Sequence, residues 1–304
     1  MNELTQSGRL GRVRATAYAK LTLSLSVLGR RADGYHDLEA LAVSIGDPHD
    51  ILELEAVPHP GGITFTVDGD TELVPEGAAN LAVRAAEDLL IRAGRSGHGV
   101  RMWLRKAIPS GVGLGGGSAD AAAALAAVRR MLEVDIGDDE LLELGAAVGS
   151  DVPFCLRGGA AWMRGRGERL ERVTLDGQLP LVVVLPRFRI STPDVYRAWD
   201  ELGGPIAQRR IAAPPAVARI ITGLANDLEE AAERVEPRLA AFREELEGVA
   251  KAPVVLAGSG SAYAVIPDVD SVAAAGKLAN RISSKLRVPA SATSVAAQGV
   301  RLSA

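Results

Sequence analysis

From Pro109 to Asp120 the chain reads Pro-Ser-Gly-Val-Gly-Leu-Gly-Gly-Gly-Ser-Ala-Asp and runs straight into AAAALAAVRRML. Five glycines in the seven residues 111–117 exclude a helix or strand interior, where glycine gives up the most backbone entropy. The segment that follows predicts an Ala/Leu-rich helix with Ser118 as its N-cap. A glycine loop opening onto a helix leaves unpaired backbone N–H groups and the positive end of the helix dipole facing open space. Such a place binds anions, and phosphate is the usual guest. A flexible linker would be glycine-rich too, but linkers rarely begin on a strand and end on a capped helix.

Two phosphate-loop patterns can be tested against this stretch. The Walker pattern needs Lys and then Ser or Thr after its last glycine, whereas Gly117 is followed by Ser118 and Ala119. Gly111, Gly113 and Gly116 do satisfy the dinucleotide pattern G-x-G-x-x-G, with Asp135 about 20 residues on. That acid should end a second strand, yet the segment EVDIGDDELLEL around it leads into a helix. A nicotinamide-dependent oxidoreductase is therefore the weaker alternative.

The elements around the loop follow from hydrophobic period. Between Val13 and Val27 apolar and polar residues alternate without a break, which predicts a strand, bent or interrupted midway. Lys20 falls on its polar face with Arg14, Thr16, Tyr18, Thr22, Ser24 and Ser26. Alone, it reads as a solvated edge lysine. A charged turn, GRRADGYHDL, leads to two further strands, LEALAVSIG and DILELEAV, with Asp47-Pro48 between them. After Pro58, Pro60, Gly61 and Gly62 come the strand ITFTV and a helix capped by Asn80 and running to about Ala93. The strand GVRMWLRKA delivers the chain to the loop. A second helix, DDELLELGAAV, ends at Gly149, and Asp151 just beyond it reads locally as a helix cap.

Glycines 158, 159, 165 and 167 mark a hairpin, and we place a change of domain near residue 160. Beyond it lie a buried strand PLVVVLP, a helix from Ser191-Thr192-Pro193, a loop at Pro214-Pro215, and helical patterns to residue 247. A strand–glycine turn–strand VVLAGSGSAYAVI and a helix DSVAAAGKLANRISSKL close the chain. Residues 1–10 read as a loose polar arm.

Composition narrows the classes. The chain has 304 residues, enough for about two domains with their own core. A net charge of −4 gives no reason to expect nucleic acid or an anionic membrane as partner, and 4% aromatics argues against base-stacking platforms. One cysteine, Cys155, makes neither an internal disulfide nor a Cys-based zinc site, and in VPFCL it reads as a buried thiol. No apolar run reaches the ~18 residues of a membrane helix, and the first residues carry no signal-peptide core. We expect a cytoplasmic protein.

Several pieces together carry a resemblance. They are Ala19-Lys20-Leu21, Arg31-Ala32-Asp33-Gly34-Tyr35-His36, PSGVGLGGGSADAA, Gly149-Ser150-Asp151-Val152-Pro153, Asn226-Asp227-Leu228-Glu229 and Gly258-Ser259-Gly260. The chain resembles, in order over about residues 15–300, the small-molecule kinases of the galactokinase, homoserine kinase, mevalonate kinase and phosphomevalonate kinase (GHMP) superfamily. R-x-D-G-Y-H together with G-S-D-V-P is similar to the branch acting on 4-diphosphocytidyl-2-C-methyl-D-erythritol, an intermediate of non-mevalonate isoprenoid synthesis.

The resemblance implies an α+β fold of two domains, residues 1–160 like ribosomal protein S5 and 161–304 ferredoxin-like. It implies ATP-dependent phosphorylation of the 2-hydroxyl of that polyol, with magnesium on the phosphates and no dedicated protein metal cluster. Pro109, Gly111, Gly113, Leu114, Gly115, Gly116, Gly117 and Ser118 would wrap the ATP phosphates, and Ser118 could also touch the metal. Asp151 would take the hydroxyl proton, and Lys20 would stand beside both. Tyr35 and Tyr196 would sandwich cytosine, with His36 at the base edge. Gly258-Ser259-Gly260 would lie against the phosphate loop. The implied partner is the small-molecule substrate, with a monomer or homodimer as the working form.

Three features depart from the pattern. Thr22 stands where the family usually has Asn, Val112 and Ala119 where small or hydroxyl residues are common, and Ser261-Ala262-Tyr263 where Gly-Pro-Thr or similar follows. The alternatives are a relative acting on homoserine or mevalonate, which has no cytosine for Tyr35-His36 to hold, and a silent binding module, which has no need of both Lys20 and Asp151.

Overall fold

Two long strands, β1 (Arg12–Arg30) and β2 (His36–Val57), pair antiparallel along most of their length and form the spine of the molecule. The computed structural model describes residues 11–57, 61–204 and 223–303. The polar arm, Pro58, Pro60 and the Pro214-Pro215 loop lie outside the described residues.

At one end of the spine β2 continues to β4 (Gly99–Lys106) and then to β3 (Ile63–Gly69), while β12 (Val300–Ser303) pairs with the start of β1. At the other end β2 pairs with β5 (Ala160–Gly165), and β5 with β6 (Arg169–Val173). The short β8 (Ala225–Asn226) joins β1 in parallel. A second, antiparallel sheet has the order β11 (Ala290–Ser294), β7 (Pro180–Val184), β10 (Tyr263–Val265), β9 (Val254–Leu256). The expected division near residue 160 thus comes down to which sheet each strand joins. The hairpin after 160 belongs to the first sheet, the change of sheet falls between Val173 and Pro180, and β12 returns to β1.

The helices are α1 (Leu81–Arg92), α2 (Gly116–Met131), α3 (Asp138–Val148), α4 (Val152–Arg157), α5 (Thr192–Glu201), α6 (Glu229–Val235), α7 (Arg238–Ala250) and α8 (Val272–Leu286). Asn80 caps α1 by accepting from the Ala82 N–H at 2.9 Å, as its position in the sequence predicts. The central helix α2 buries Ala119, Ala121, Ala122, Ala123, Ala124, Leu125, Ala127 and Val128. Small side chains let it sit close against β1 and β2, with α1 and α4 packed alongside. Fully buried Leu21, Leu23, Leu52 and Leu54 line the spine, each stabilising the fold by about 2 kcal/mol. Asp135 lies between α2 and α3 and ends no strand, so the dinucleotide reading has no βαβ unit to rest on.

Three local expectations change. The two strands expected on either side of Asp47-Pro48 are one strand. Tyr18 pairs with His49 and Ala19 with Ile45, so residues 46–48 bulge from the ladder, where a proline without an N–H does no harm. Most of the polar face of β1 is covered: Thr16, Lys20, Thr22, Ser24 and Ser26 are buried, while Arg14 at its start stays exposed. And α2 is capped by Gly115 in the left-handed region (φ 67°), with no side-chain cap, so Ser118 stands inside the first turn. No described helix is long and apolar enough to cross a membrane.

Candidate active site

The glycine loop is held open from three sides. Leu114 O accepts the N–H of Lys20 on β1 at 3.0 Å, Gly111 O accepts that of Ile190, and Val112 O accepts that of Ala262. Gly111, Gly113 and Gly115 all have φ between 67° and 82°. A Cβ on Gly113 would lie 2.0 Å from the Ala257 carbonyl oxygen, so the turn at Gly258-Ser259-Gly260 presses directly on the loop. Asn226 fixes that turn by donating to Leu256 O (2.9 Å) and Gly258 O (2.6 Å). Thr192 on α5 and Ser259 share a hydrogen bond of 2.7 Å.

The first helical hydrogen bond of α2 runs from the Ala119 N–H to Gly115 O. The N–H groups of Gly116, Gly117 and Ser118 donate to no backbone group among the described residues, and they stand at the positive end of the helix dipole. They open on a cleft of about 810 Å³, whose lining includes Pro109, the whole run Gly111–Ser118, Lys20, Asp151, Tyr35, His36 and Tyr196. Every residue that the sequence offered for catalysis, phosphate binding or cytosine binding therefore lines one cavity.

Lys20 and Asp151 meet there. Lys20 Nζ donates to Asp151 Oδ2 at 2.7 Å, across 131 positions of sequence. Asp151 occupies the N-cap position of α4, as its local sequence suggests, but its side chain makes no cap hydrogen bond and turns to the lysine. Its other oxygen, Oδ1, makes no hydrogen bond among the described residues, and a Cβ on Gly167 would fall 3.5 Å from it. A carboxylate with one oxygen on an ammonium and one unclaimed can accept a proton from a hydroxyl brought within hydrogen-bond reach. Thr22 lies on the same wall, buried, with its Oγ1 facing the Gly258 turn.

The aromatic residues gather in the same cleft. His36 stacks on Tyr196 with centroids 4.8 Å apart and meets Trp199 edge-on, and its Nε2 bonds Asp200 Oδ1 at 2.8 Å. A carboxylate only accepts, so Nε2 carries the proton of this bond and Nδ1 is the remaining nitrogen. Burial, and secondarily Asp151, push the Tyr196 hydroxyl well above the usual phenol range, so it stays a neutral donor. Tyr35 is half exposed, with the Arg166 guanidinium 4.8 Å from its ring centroid. Cys155 is fully buried and burial drives its pKa upward, in keeping with an inert thiol.

A second charged cluster escaped the sequence reading. Lys106 ion-pairs with Asp50 and with Asp120 (3.0 Å), and all three are buried. The signal was present: Lys106 shares strand parity with inward-facing Val100, Met102 and Leu104, and Asp50 with Leu52 and Leu54. Asp120 is the lone acid in a run of buried alanines.

No group of three or more His, Cys, Asp or Glu side chains that could hold a metal occurs among the described residues. Among the oxygens lining the cleft are the Ser118 hydroxyl and the Asp151 carboxylate, while Asp120 and Asp200 are paired with Lys106 and His36. Such oxygens suit a hard cation such as magnesium, which needs few protein ligands and would keep most of its waters.

Comparison with known proteins agrees with this geometry. Residues 80–159, the span from the α1 cap through the loop and Asp151 to the β5 turn, match the GHMP kinases N terminal domain. A 4-diphosphocytidyl-2-C-methyl-D-erythritol kinase of Pelotomaculum thermopropionicum is 42% identical over 85% of this chain and 91% of its own. The same kinase of Moorella thermoacetica is 42% identical over 89% and 93%. A crystal structure of 4-(cytidine 5'-diphospho)-2C-methyl-D-erythritol kinase superposes with a TM-score of 0.70 at 34% identity, covering 93% of this chain and 98% of that one. Homoserine kinase from Cytophaga hutchinsonii shares the fold (TM-score 0.71) at 18% identity. On sequence, fold and the meeting of loop, lysine and aspartate, the chain belongs to the 4-diphosphocytidyl-2-C-methyl-D-erythritol kinase family.

Proposed function

We propose that this chain transfers the terminal phosphoryl group of ATP to the 2-hydroxyl of 4-diphosphocytidyl-2-C-methyl-D-erythritol. Phosphoryl transfer asks a protein for alignment and charge neutralisation more than for covalent chemistry. The loop from Pro109 to Ser118 receives the phosphates on its free N–H groups. Asp151 accepts the proton of the attacking hydroxyl, and Lys20 spreads its positive charge over Asp151 and the developing alkoxide. The Ser118 hydroxyl would help hold a magnesium ion carried in with the phosphates, which would supply charge neutralisation of the transferred group.

Tyr35 and Tyr196 flank the cytosine. His36, with Nε2–H given to Asp200, offers Nδ1 as an acceptor that suits the exocyclic amine of that base. Cytoplasmic location, and action as a monomer or homodimer without nucleic acid or membrane, are part of the same proposal.

The observation that supports this reading most is the 2.7 Å Lys20–Asp151 pair in one cleft with the glycine loop and the Tyr35-His36 turn. ADP release measured with the diphosphocytidyl polyol, homoserine, mevalonate and no acceptor tests it. Turnover is expected with the first alone. Equal turnover with homoserine or mevalonate would move the chain to a related kinase, and none with any acceptor would leave a binding module.

A further inference from the structure

The connection from β7 to α5 runs against the glycine loop, and one side chain on it reaches the first half of the chain. Arg189 Nη1 donates to Ser110 O at 2.8 Å. Its Nη2 donates to both oxygens of Asp70, at 3.0 and 3.1 Å, and lies 3.3 Å from Glu72 Oε2. The guanidinium therefore ties three segments together: its own connection, the start of the loop, and the stretch that follows β3. A planar fork with fixed donor directions can hold two places at once, whereas a lysine ammonium is a compact point charge.

The stretch from Asp70 to Pro75 has few other ties. It leaves β3 with the Asp70 N–H on Lys106 O at 3.1 Å, and it ends where the Asn80 amide donates to Pro75 O at 3.1 Å. Its internal hydrogen bond runs from the Val74 N–H to Thr71 O. Among the described residues, the hydrogen bonds that join it to the glycine loop pass through Arg189. Leu73, midway along, is half exposed, so it gains only part of the burial that fixes a core side chain. It nevertheless stands over the loop: a Cβ on Gly111 would lie 3.2 Å from Leu73 Cδ1 and 3.6 Å from Arg189 Cβ.

Leu73, Val74 and Pro75 line the same cleft as Ser110 and Gly111, and Arg189 is not part of that lining. The arginine acts on the cleft through the groups it holds. Its side chain and that of Asp70 keep exposures of 28% and 24%, so water screens this pair less than the exposed pairs elsewhere on the surface. Glu72, at 75%, adds little.

We propose that Arg189, paired with Asp70, is a positioning residue that clamps the stretch 70–75 onto the first turn of the glycine loop and so sets affinity for the nucleotide. Without the clamp, loop and stretch must be ordered anew at each binding event, and that cost weakens ATP. The acceptor is held by a separate set, since His36 has Tyr196, Trp199 and Asp200 as its partners. The proposal rests on the nucleotide reading of the cleft and deepens it.

ATP binding by calorimetry and the KM of each substrate test it. Arg189→Ala is expected to weaken ATP about tenfold, while the acceptor KM moves by less than about twofold. Arg189→Lys can pair with Asp70 but cannot fork to Ser110 O as well, so it should recover part of the loss. Asp70→Asn should weaken ATP about three- to tenfold, and adding it to Arg189→Ala should cost little more, because each variant opens the same clamp. Were Arg189 a direct phosphate ligand instead, Asp70→Asn would free it and tighten ATP. That result overturns the proposal, as do additive losses in the double variant or equal shifts in both KM values. A parent protein that binds no ATP would overturn the nucleotide reading itself, whereas a parent that binds ATP no better than Arg189→Ala overturns the clamp alone.

Hydrogen exchange without substrate gives a second readout. Arg189→Ala should speed exchange in residues 70–75 and 110–113 and leave α2 and the second sheet as protected as in the parent. Faster exchange throughout the chain would make Arg189 a contributor to global stability, and unchanged exchange in both segments would mean that nothing is clamped; either outcome overturns the proposal.

Discussion

Two lysine–aspartate clusters flank one glycine loop, and adjacent glycines cover them: Gly115 lies against Lys20, and Gly116 against Lys106. The chemistry of the side chains is the same, but the access of water is not. In the first cluster Lys20 and Asp151 keep side-chain exposures of 11% and 29%. In the second, Lys106, Asp50 and Asp120 have 2%, 0% and 4%. The half-open pair can exchange a proton with a bound hydroxyl. The closed trio can only hold its charges and shape what lies above. Removing one partner from a closed cluster strands a buried charge, at a cost of about 3–5 kcal/mol, whereas the open pair can take up water in place of its partner.

The sharpest break of this comparison is Asp151→Asn. Turnover is expected to fall by roughly 10²–10⁴ in kcat while ATP binding by calorimetry stays close to that of the parent. Unchanged turnover would take Asp151 out of the mechanism and leave the two clusters alike. Next comes Lys20→Ala, for which kcat should drop by about 10–100-fold, more than ATP affinity does. A change in melting temperature alone would return Lys20 to a structural role.

Gly116→Ala probes the closed side. The new methyl would meet Lys106 Nζ at 2.7 Å and Ile108 at 3.0 Å, which is expected to destabilise by about 1–3 kcal/mol in denaturant titration. Gly117→Ala has only Leu81 Cδ1 near it, at 3.6 Å, and its stability should match the parent.

The smallest effect is a pH dependence. Asp120 binds its proton more tightly folded than unfolded, so the stability it contributes is complete below the unfolded value of about 4 and is lost as pH rises toward its folded pKa. Asp120→Asn removes that loss. Thermal melts should show the variant gaining on the parent as pH rises above the unfolded value of about 4, reaching at least about 2 °C. Parallel curves would mean that Asp120 is ionised in the fold, and the contrast between clusters would narrow to burial alone.

The amino-acid sequence by itself determined the strand period of β1, the Asn80 cap, the glycine loop, the helix after it, and the family pattern that singled out Lys20, Asp151, Tyr35 and His36. Each of these is written in a few consecutive residues, because backbone sterics and side-chain alternation act over that range. Tertiary structure alone decided that the polar face of β1 is covered from Thr16 to Ser26 apart from half-buried Tyr18, and that residues 131 positions apart pair at 2.7 Å. It alone also decided that Pro48 sits in a bulge of an unbroken strand, that the hairpin after residue 160 stays with the first sheet, and that Lys106 gathers two acids beneath Gly116. Burial and charge pairing depend on which distant segments close over a side chain, and no stretch of neighbouring residues carries that information.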